Sequence, residues 1–310
     1  MTTLLMRHKP EGTNVSRNIS NSEVSSFTQC ERKHYYSFLR KLEPKSTGLA
    51  LSRGIIGHEA LAEYYEALMQ GQSVVEAQQA ARNVISRYIA TGEGDMSMLA
   101  DLITLLTRYF GYYDSEEWEI LAVEKAYEVP VNDDFNFGMR LDLLVRDSSK
   151  RIALVDHKFV YDFYSQDVLD MNAQVPKYLG TLRYNGIKAD YAILNQVRYR
   201  LKKAGNTDEE TFKRDTLTPN NHEIRTIMAE QFKVSERIMG RRSLNERAQS
   251  TEAVRTMNQM TCKNCSFVPM CKAELMGSDT TLMAQVEYKP NVYVERQNPT
   301  VTPTLFELES

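Results

Sequence analysis

A chain of 310 residues, 42% of them hydrophobic, can bury a sizeable core and has the length of one large domain or two small ones. Its formal net charge of −3 says little by itself about nucleic acid; an anionic substrate must be drawn by local basic patches or bound cations. No apolar run approaches the roughly 20 residues that cross a bilayer. The first residues carry Arg7, His8 and Lys9 without a long apolar region or a small-residue cleavage signal, so a soluble intracellular protein with no membrane partner is expected.

Residues 1–24 are polar and aperiodic and are predicted to form a flexible arm. Residues 25–115 are predicted as a helical subdomain. A helix capped at Ser25 or Ser26 runs through Phe27, Tyr35, Phe38 and Leu39 towards Pro44. Further helices cover residues 50–69, with Leu61, Tyr64, Tyr65 and Leu68 on one face, then 73–89 and 96–110. From Trp118 the pattern changes to strands over 119–131, 135–145 and 152–159, with turns at Asn132–Asp134 and Asp147–Lys150. A helix over 165–184 and a strand over 191–199 follow, so the region 116–220 reads as a three-strand antiparallel meander, a helix and a parallel returning strand. Residues 200–220 read as a charged loop. Residues 221–276 carry a long polar helix and a cysteine cluster, and 277–310 form an extension.

The chemistry concentrates at the end of the third strand. Ile152 to Val155 is an apolar, β-branched run, yet it leads directly into Asp156, His157 and Lys158. Unpaired buried charge is costly, and strand period sets Asp156 and Lys158 on one face. Asp142 lies on the preceding strand with the turn about midway between the two acids. Two carboxylates brought to one point repel each other unless a cation lies between them. Oxygen ligation suits Mg²⁺ or Mn²⁺, and a neighbouring lysine can orient a water and stabilise developing negative charge. Either aspartate alone would be more simply a strand-end surface residue; the set reads as a metal-dependent phosphodiester hydrolysis site. Glu124, on the strand before, is read as a surface residue rather than an outer carboxylate.

Asp142 with Asp156-His157-Lys158 resembles the core of the PD-(D/E)XK nucleases. The branch it is most similar to is the RecB-like exonucleases, which include CRISPR-associated RecB-like nucleases and phage exonucleases. Gln174-Val-Pro-Lys-Tyr178 matches that branch's Gln-x-x-x-Tyr motif, whose spacing puts both side chains on one helical face. Pro176 inside it implies a kink or a late helix start. Gly54-Ile-Ile-Gly-His58 fits the upstream Gly-x-x-x-His motif. The chain departs from the pattern in having Gly138 four residues before Asp142 rather than three, and Asp156 where glutamate is frequent. The resemblance implies a restriction-endonuclease-like α/β fold: a central mixed sheet flanked by helices, with an N-terminal helical subdomain and a C-terminal cysteine segment. It implies a metal held by His58, Asp142, Asp156 and the His157 carbonyl, with Lys158, Gln174 and Tyr178 completing the catalytic set.

Four cysteines occur, and Cys262-Lys-Asn-Cys265 with Cys271 leaves Cys30 to complete a four-thiolate site. Four thiolates suit [4Fe–4S] or Zn²⁺, and spacing does not choose between them. The layout is similar to the iron–sulfur cluster of the same branch, and the Cys30-Glu-Arg-Lys-His-Tyr-Tyr run resembles its Cys-Pro-Arg-Lys-Tyr. The implied role is to staple the N-terminal helices to the C-terminus.

Arg32, Lys33 and His34 with Tyr35 and Tyr36, and Arg198, Arg200, Lys202 and Lys203 with Tyr199, are candidate DNA contacts; Arg237, Arg241, Arg242 and Arg247 read as a solvated face. The expected activity is exonucleolytic hydrolysis of DNA presenting a single-stranded end, in the cytoplasm of a bacterial or phage-infected cell. Recombination, repair, phage DNA processing or CRISPR spacer acquisition would be its setting, and a helicase or recombination protein its partner. The alternatives are a non-catalytic binding module on the same fold and a restriction-type endonuclease.

Overall fold

The computed structural model describes residues 17–45, 48–200 and 205–291. Residues 17–24, expected within a loose arm, are ordered: Arg17–Ser20 form strand β1 and Asn21 opens helix α1 (Asn21–Gln29), with the Ser20 hydroxyl capping the Glu23 N–H. Ile19 and Phe27 anchor this start in a small core with Phe135 and Ile238. The expected helix towards Pro44 breaks at Cys30, whose extended backbone separates α1 from α2 (Glu31–His34); a π-helical turn (Tyr35–Leu39) and strand β2 (Leu42–Pro44) follow.

The three long helices predicted next are present as α3 (Leu49–Met69), α4 (Val74–Thr91) and α5 (Met96–Tyr112). Ser73 and Glu76 form a reciprocal capping box on α4, Gly92 ends it in the left-handed conformation, and Asp95 caps α5. Their apolar faces cover one side of a five-stranded sheet.

That sheet has the order β3 (Glu119–Val123), β6 (Leu143–Arg146), β7 (Ile152–Val160), β8 (Tyr191–Arg198) and β9 (Phe212–Leu217), counting β4 (Ala126–Pro130) and β5 (Phe135–Arg140) between β3 and β6 in the chain. β7 and β8 are parallel and the other neighbours antiparallel, so the sheet is mixed. Between β7 and β8 the chain crosses through α6 (Gln166–Asp170) and α7 (Gln174–Tyr184), and α7 packs on the opposite face from α3–α5. Fold class is therefore as expected: α/β, with a central mixed sheet between helical layers.

Two of the expected strands are each bent in the middle. β4 and β5 leave the main sheet and join β1 in a second sheet of order β1-β5-β4. The hinge is at Glu124, whose φ of 46° is a left-handed backbone that a sequence pattern does not reveal for a non-glycine residue. The predicted single helix over 165–184 is likewise two, and Pro176 falls in the first turn of α7, where no intrahelical hydrogen bond is lost. The expected loop at 200–220 contains β9, an edge strand.

The rest of the chain forms α8 (Asn221–Arg242), α9 (Glu246–Glu252), α10 (Gln259–Lys263), α11 (Val268–Leu275), α12 (Thr281–Glu287) and β10 (Tyr288–Pro290), which pairs with β2. The extension thus begins as structure that returns to the N-terminal region. No helix among the described residues is long and apolar enough to cross a membrane.

Candidate active site

Register builds the centre. Leu143 pairs with Val155, and one step beyond sets Asp142 opposite Asp156. On the other side, Val123↔Leu143 and Ala126↔Arg140 continue one register through the bend, which sets Glu124 opposite Asp142. Backbone hydrogen bonds hold the bend: Glu124 N–H donates to the Asp142 carbonyl at 2.9 Å and Leu141 N–H to the Lys125 carbonyl at 3.0 Å. Three acids on adjacent strands therefore meet where the ribbon leaves the main sheet. Beyond Val155 strand β7 has no partner on that edge, and the freed His157 N–H donates to Asp142 Oδ2 at 2.7 Å.

Helix α3 adds His58, whose Nδ1 lies 3.4 Å from Asp142 Oδ2. His58, Glu124 and Asp142 offer one ligand atom each within 4.8 Å of one another, the one such group of three or more acids, histidines or cysteines among the described residues. Glu124, read from sequence as a surface residue, belongs to this group. The signal that could have found it is the hairpin register counted back from the Asn132–Asp134 turn.

Asp156 is 2% exposed and is held from two directions. Lys158 Nζ donates to Oδ1 at 2.8 Å, and Gln174 Nε2 reaches the same oxygen at 3.2 Å. Gln174 Nε2 also contacts the Tyr178 hydroxyl at 2.8 Å, so the four predicted residues Asp156, Lys158, Gln174 and Tyr178 form one chain of contacts. Strand alternation turns the His157 ring to the other face, against α3. There it stacks on Tyr65 and accepts from Asn195 Nδ2 at 2.8 Å. The ring is therefore not part of the acidic cluster, and only the His157 backbone is.

The electrostatics follow from burial and crowding. Burial, then the neighbouring Asp142 charge, pushes the Glu124 carboxyl up to about 7. Burial also raises Asp156, against the pull of Lys158. For Asp142 burial acts upward, but His58 and the positive groups around it outweigh it and hold the carboxyl below its usual range. Burial acts downward on His58, and Asp142 outweighs it in the other direction. Burial keeps His157 neutral, with its pKa lowered to about 3.

The Gly-x-x-x-His segment has a different critical glycine from the one its motif names. A Cβ on Gly54 would meet nothing within 4 Å, whereas one on Gly57 would fall 2.3 Å from Phe159 Cζ. Gly57 thus lets α3 lie against β7 one residue before His58. Gly57→Ala is expected to displace His58 and lower turnover by about 10²-fold, a loss typical of ångström-scale misplacement, with a modest drop in melting temperature; wild-type turnover in the variant would contradict this.

The four cysteines also converge, all as free thiols. The 254–256 segment touches three of them: Thr256 N–H points at Cys30 Sγ (3.5 Å), Cys262 Sγ at the Thr256 carbonyl (3.7 Å), and Arg255 Nε at Cys271 Sγ (3.3 Å). Cys265, raised by burial, lies close enough to feel Cys30 and Cys262. No three of the sulfurs lie mutually within 4.8 Å. Arg32, His34, Tyr35 and Tyr36, expected as DNA contacts, are buried here instead. Arg32 and Tyr36 bind Glu274, His34 pairs with Glu23, and Tyr36 packs on Phe267. Arg241 and Arg242 are not merely a solvated face either, since they pair with Glu31 and Glu23. Arg198 and Arg200 both engage Asp162. Lys202 and Lys203 lie outside the described residues.

The profile of the PD-(D/E)XK nuclease superfamily matches residues 18–272. No curated protein matches the chain by sequence. Among solved structures, SSO0001 is similar at 14% identity, over 86% of this chain and 89% of its own, with a TM-score of 0.40. A protein of Eubacterium rectale assigned as an exonuclease is similar at 13%, over 79% and 86%, TM-score 0.47. The alkaline exonuclease of Laribacter hongkongensis, in complex with dAMP, is similar at 13%, over 63% and 97%, TM-score 0.32.

Proposed function

We propose that this chain, which belongs to the PD-(D/E)XK nuclease superfamily, is a divalent-metal-dependent DNA exonuclease whose N- and C-terminal regions are tied together by a [4Fe–4S] cluster. The observation that carries the catalytic reading is the convergence of His58, Glu124, Asp142, Asp156 and Lys158 at the end of β7. The donor set fits a cation: crowded carboxyls, Asp156 buried and Glu124 and Asp142 half-buried, with two of the three raised, are what a divalent ion relieves, and one imidazole among oxygens suits Mn²⁺ as well as Mg²⁺. His58, Glu124 and Asp142 would hold it, with Asp156 and the His157 backbone beside them. A divalent ion held there would lower the pKa of water and neutralise phosphate charge.

The chain's own residues do the rest. Lys158, kept protonated by Asp156 and Asp142 against the effect of burial, positions the attacking water and stabilises charge on the phosphate. Gln174 fixes Asp156, and Tyr178 fixes Gln174. The water oxygen bonds to phosphorus and gives up a proton to solvent, the bond to the departing sugar oxygen breaks, and that oxygen takes up a proton from solvent.

The cluster reading is supported by the convergence of every cysteine in the chain and by N–H donors aimed at two of the sulfurs, which stabilise thiolates. The exonuclease reading rests on the Gly54–His58 and Gln174–Tyr178 motifs of the RecB-like branch, and recombination, repair or phage DNA processing is the setting they suggest.

One preparation tests both parts. Brown protein carrying iron and sulfide, which degrades end-labelled linear DNA with Mn²⁺ but spares closed circles of the same sequence, is the expected result. Cutting of circles would replace exonuclease by endonuclease, and a colourless zinc protein would remove the cluster.

A further inference from the structure

The two elements that bring His58 and Lys158 to the centre also lead to a group of aromatic and basic side chains. Arg53 lies on α3, five residues before His58, and Tyr161 follows directly on the end of β7, three residues after Lys158. A row of rings joins the two places. The His58 ring lies 5.9 Å from that of Phe159, centroid to centroid, and Phe159 is two residues before Tyr161.

The sheet sets the position. β7 and β8 are parallel with Val160 beside Arg198, so both end here, and Tyr199 N–H donates to the Val160 carbonyl at 2.9 Å. The carboxyl ends of adjacent parallel strands are where α/β sheets take up ligands. Tyr161 and Tyr199 meet at 67° with their centroids 6.0 Å apart. The Arg200 guanidinium lies over the Tyr161 ring at 5.2 Å, and that of Arg53 over the Tyr199 ring at 4.4 Å. Arg200 is itself fixed by Asp162 at 2.6 Å. Tyr161 is thus supported by its neighbours without being covered, and it stays 58% exposed. A ring ordered in advance loses less freedom when a ligand stacks on it.

Charge and shape define the ligand. Arg198 and Arg200 share the single carboxylate of Asp162, and Arg53 has only Asp101 at 4.0 Å, so the group keeps positive charge in a chain whose net charge is −3. Guanidinium groups attract a phosphate backbone, and an exposed ring takes the flat face of a base. Bases stacked inside a duplex have no free face to offer. We propose that Tyr161, backed by Arg200 and Tyr199, stacks on one unpaired base of the DNA strand whose phosphodiester lies in the catalytic centre. At about 3.3 Å per strand residue the ring lies about 10 Å from Lys158 along the chain, which places that base within roughly three nucleotides of the cut at about 3.4 Å per nucleotide. Stacking tolerates every base, so the platform selects single strands without selecting sequence. This assignment rests on the nuclease reading for the identity of the polymer.

The test is fluorescence anisotropy of labelled single-stranded oligo(dT), intact or carrying one abasic site at each position in turn, with the full chain in EDTA, where hydrolysis does not intervene, followed by addition of Mn²⁺. In the wild type an abasic site at one position near an end is expected to lower affinity about tenfold, the order of one base stacked on an aromatic ring. Tyr161→Ala should bind the intact strand about tenfold more weakly and be indifferent to the abasic site at that position, with an unchanged melting curve and unchanged affinity for blunt duplex. Tyr161→Trp should behave as the wild type. An abasic profile shared by the wild type and Tyr161→Ala, or a Tyr161→Leu variant that binds as the wild type does, overturns the platform. A sensitive position without cleavage in Mn²⁺ keeps the platform and removes the nuclease reading; cleavage with no sensitive position does the reverse.

Discussion

Asp142→Asn is expected to lower phosphodiester hydrolysis by about 10³-fold or more while the protein stays folded. Asp142 joins three elements of the centre. It meets His58 from α3, the His157 N–H of β7 and, across the ribbon, Glu124. An amide keeps the shape but loses the negative charge that a divalent ion needs, and metal-derived charge stabilisation of several kcal/mol corresponds to about three decades in rate. Its half-buried position would ordinarily predict a stability cost as well. That cost should be moderate, because the attraction of the carboxylate to His58 and Lys158 is lost and is only partly offset by relief of the repulsion felt by Glu124 and Asp156. Single-turnover cleavage and a melting curve on the same sample check both halves. An unaltered rate would exclude Asp142 from the centre, and loss of folding would make its role structural.

Arg214→Met is expected to have the largest effect on stability. The guanidinium of Arg214 lies over Tyr113 and Trp118 and donates to Glu116, to Tyr109 and, at 3.1 Å, to Asn195 Oδ1. Asn195 in turn donates to the His157 ring, so this cation fixes the back of strand β7. Methionine fills the volume but leaves Glu116, whose carboxyl burial already raises, without its partner. Breaking a fully buried ion pair on one side costs about 3–5 kcal/mol; this pair is part-buried, with side chains 18% and 15% exposed, so about 2–3 kcal/mol and a melting temperature roughly 5 °C lower are expected. Thermal denaturation checks it, and Glu116→Gln combined with Arg214→Met should recover much of the loss. A single variant that melts with the wild type would show the network to be idle.

These two residues also mark what could and could not be read from the chain. Strand β7 was legible because an apolar run ends in three titratable residues, a pattern with few explanations. Helices α3, α4 and α5 are legible because each carries apolar residues at helical spacing, and in α4 and α5 the caps Ser73 and Asp95 agree with it. Asp142 came from the same hairpin logic, but the bend at Glu124 did not, since alternation continues through it and the left-handed φ has no mark in the sequence. Arg214 was hidden because Phe212–Leu217 carries Lys213, Arg214 and Asp215 and reads as a solvated loop. Its aromatic and acidic partners lie about a hundred positions upstream. The Arg32–Tyr36 run was misread for a related reason. Basic and aromatic residues in alternation look the same whether they meet DNA or a half-buried Glu274 that is 242 positions away from Arg32.

The claim on which the account turns is that the charged end of β7 is a phosphodiester hydrolysis centre. End-labelled linear single-stranded DNA incubated with Mn²⁺ and either the wild type or Lys158→Met measures it directly. The account predicts mononucleotide release by the wild type, abolished by EDTA, and a rate about 10²–10³-fold lower in the variant with DNA binding retained. Equal rates for the two proteins, or no release by a folded, metal-supplemented wild type, would contradict it.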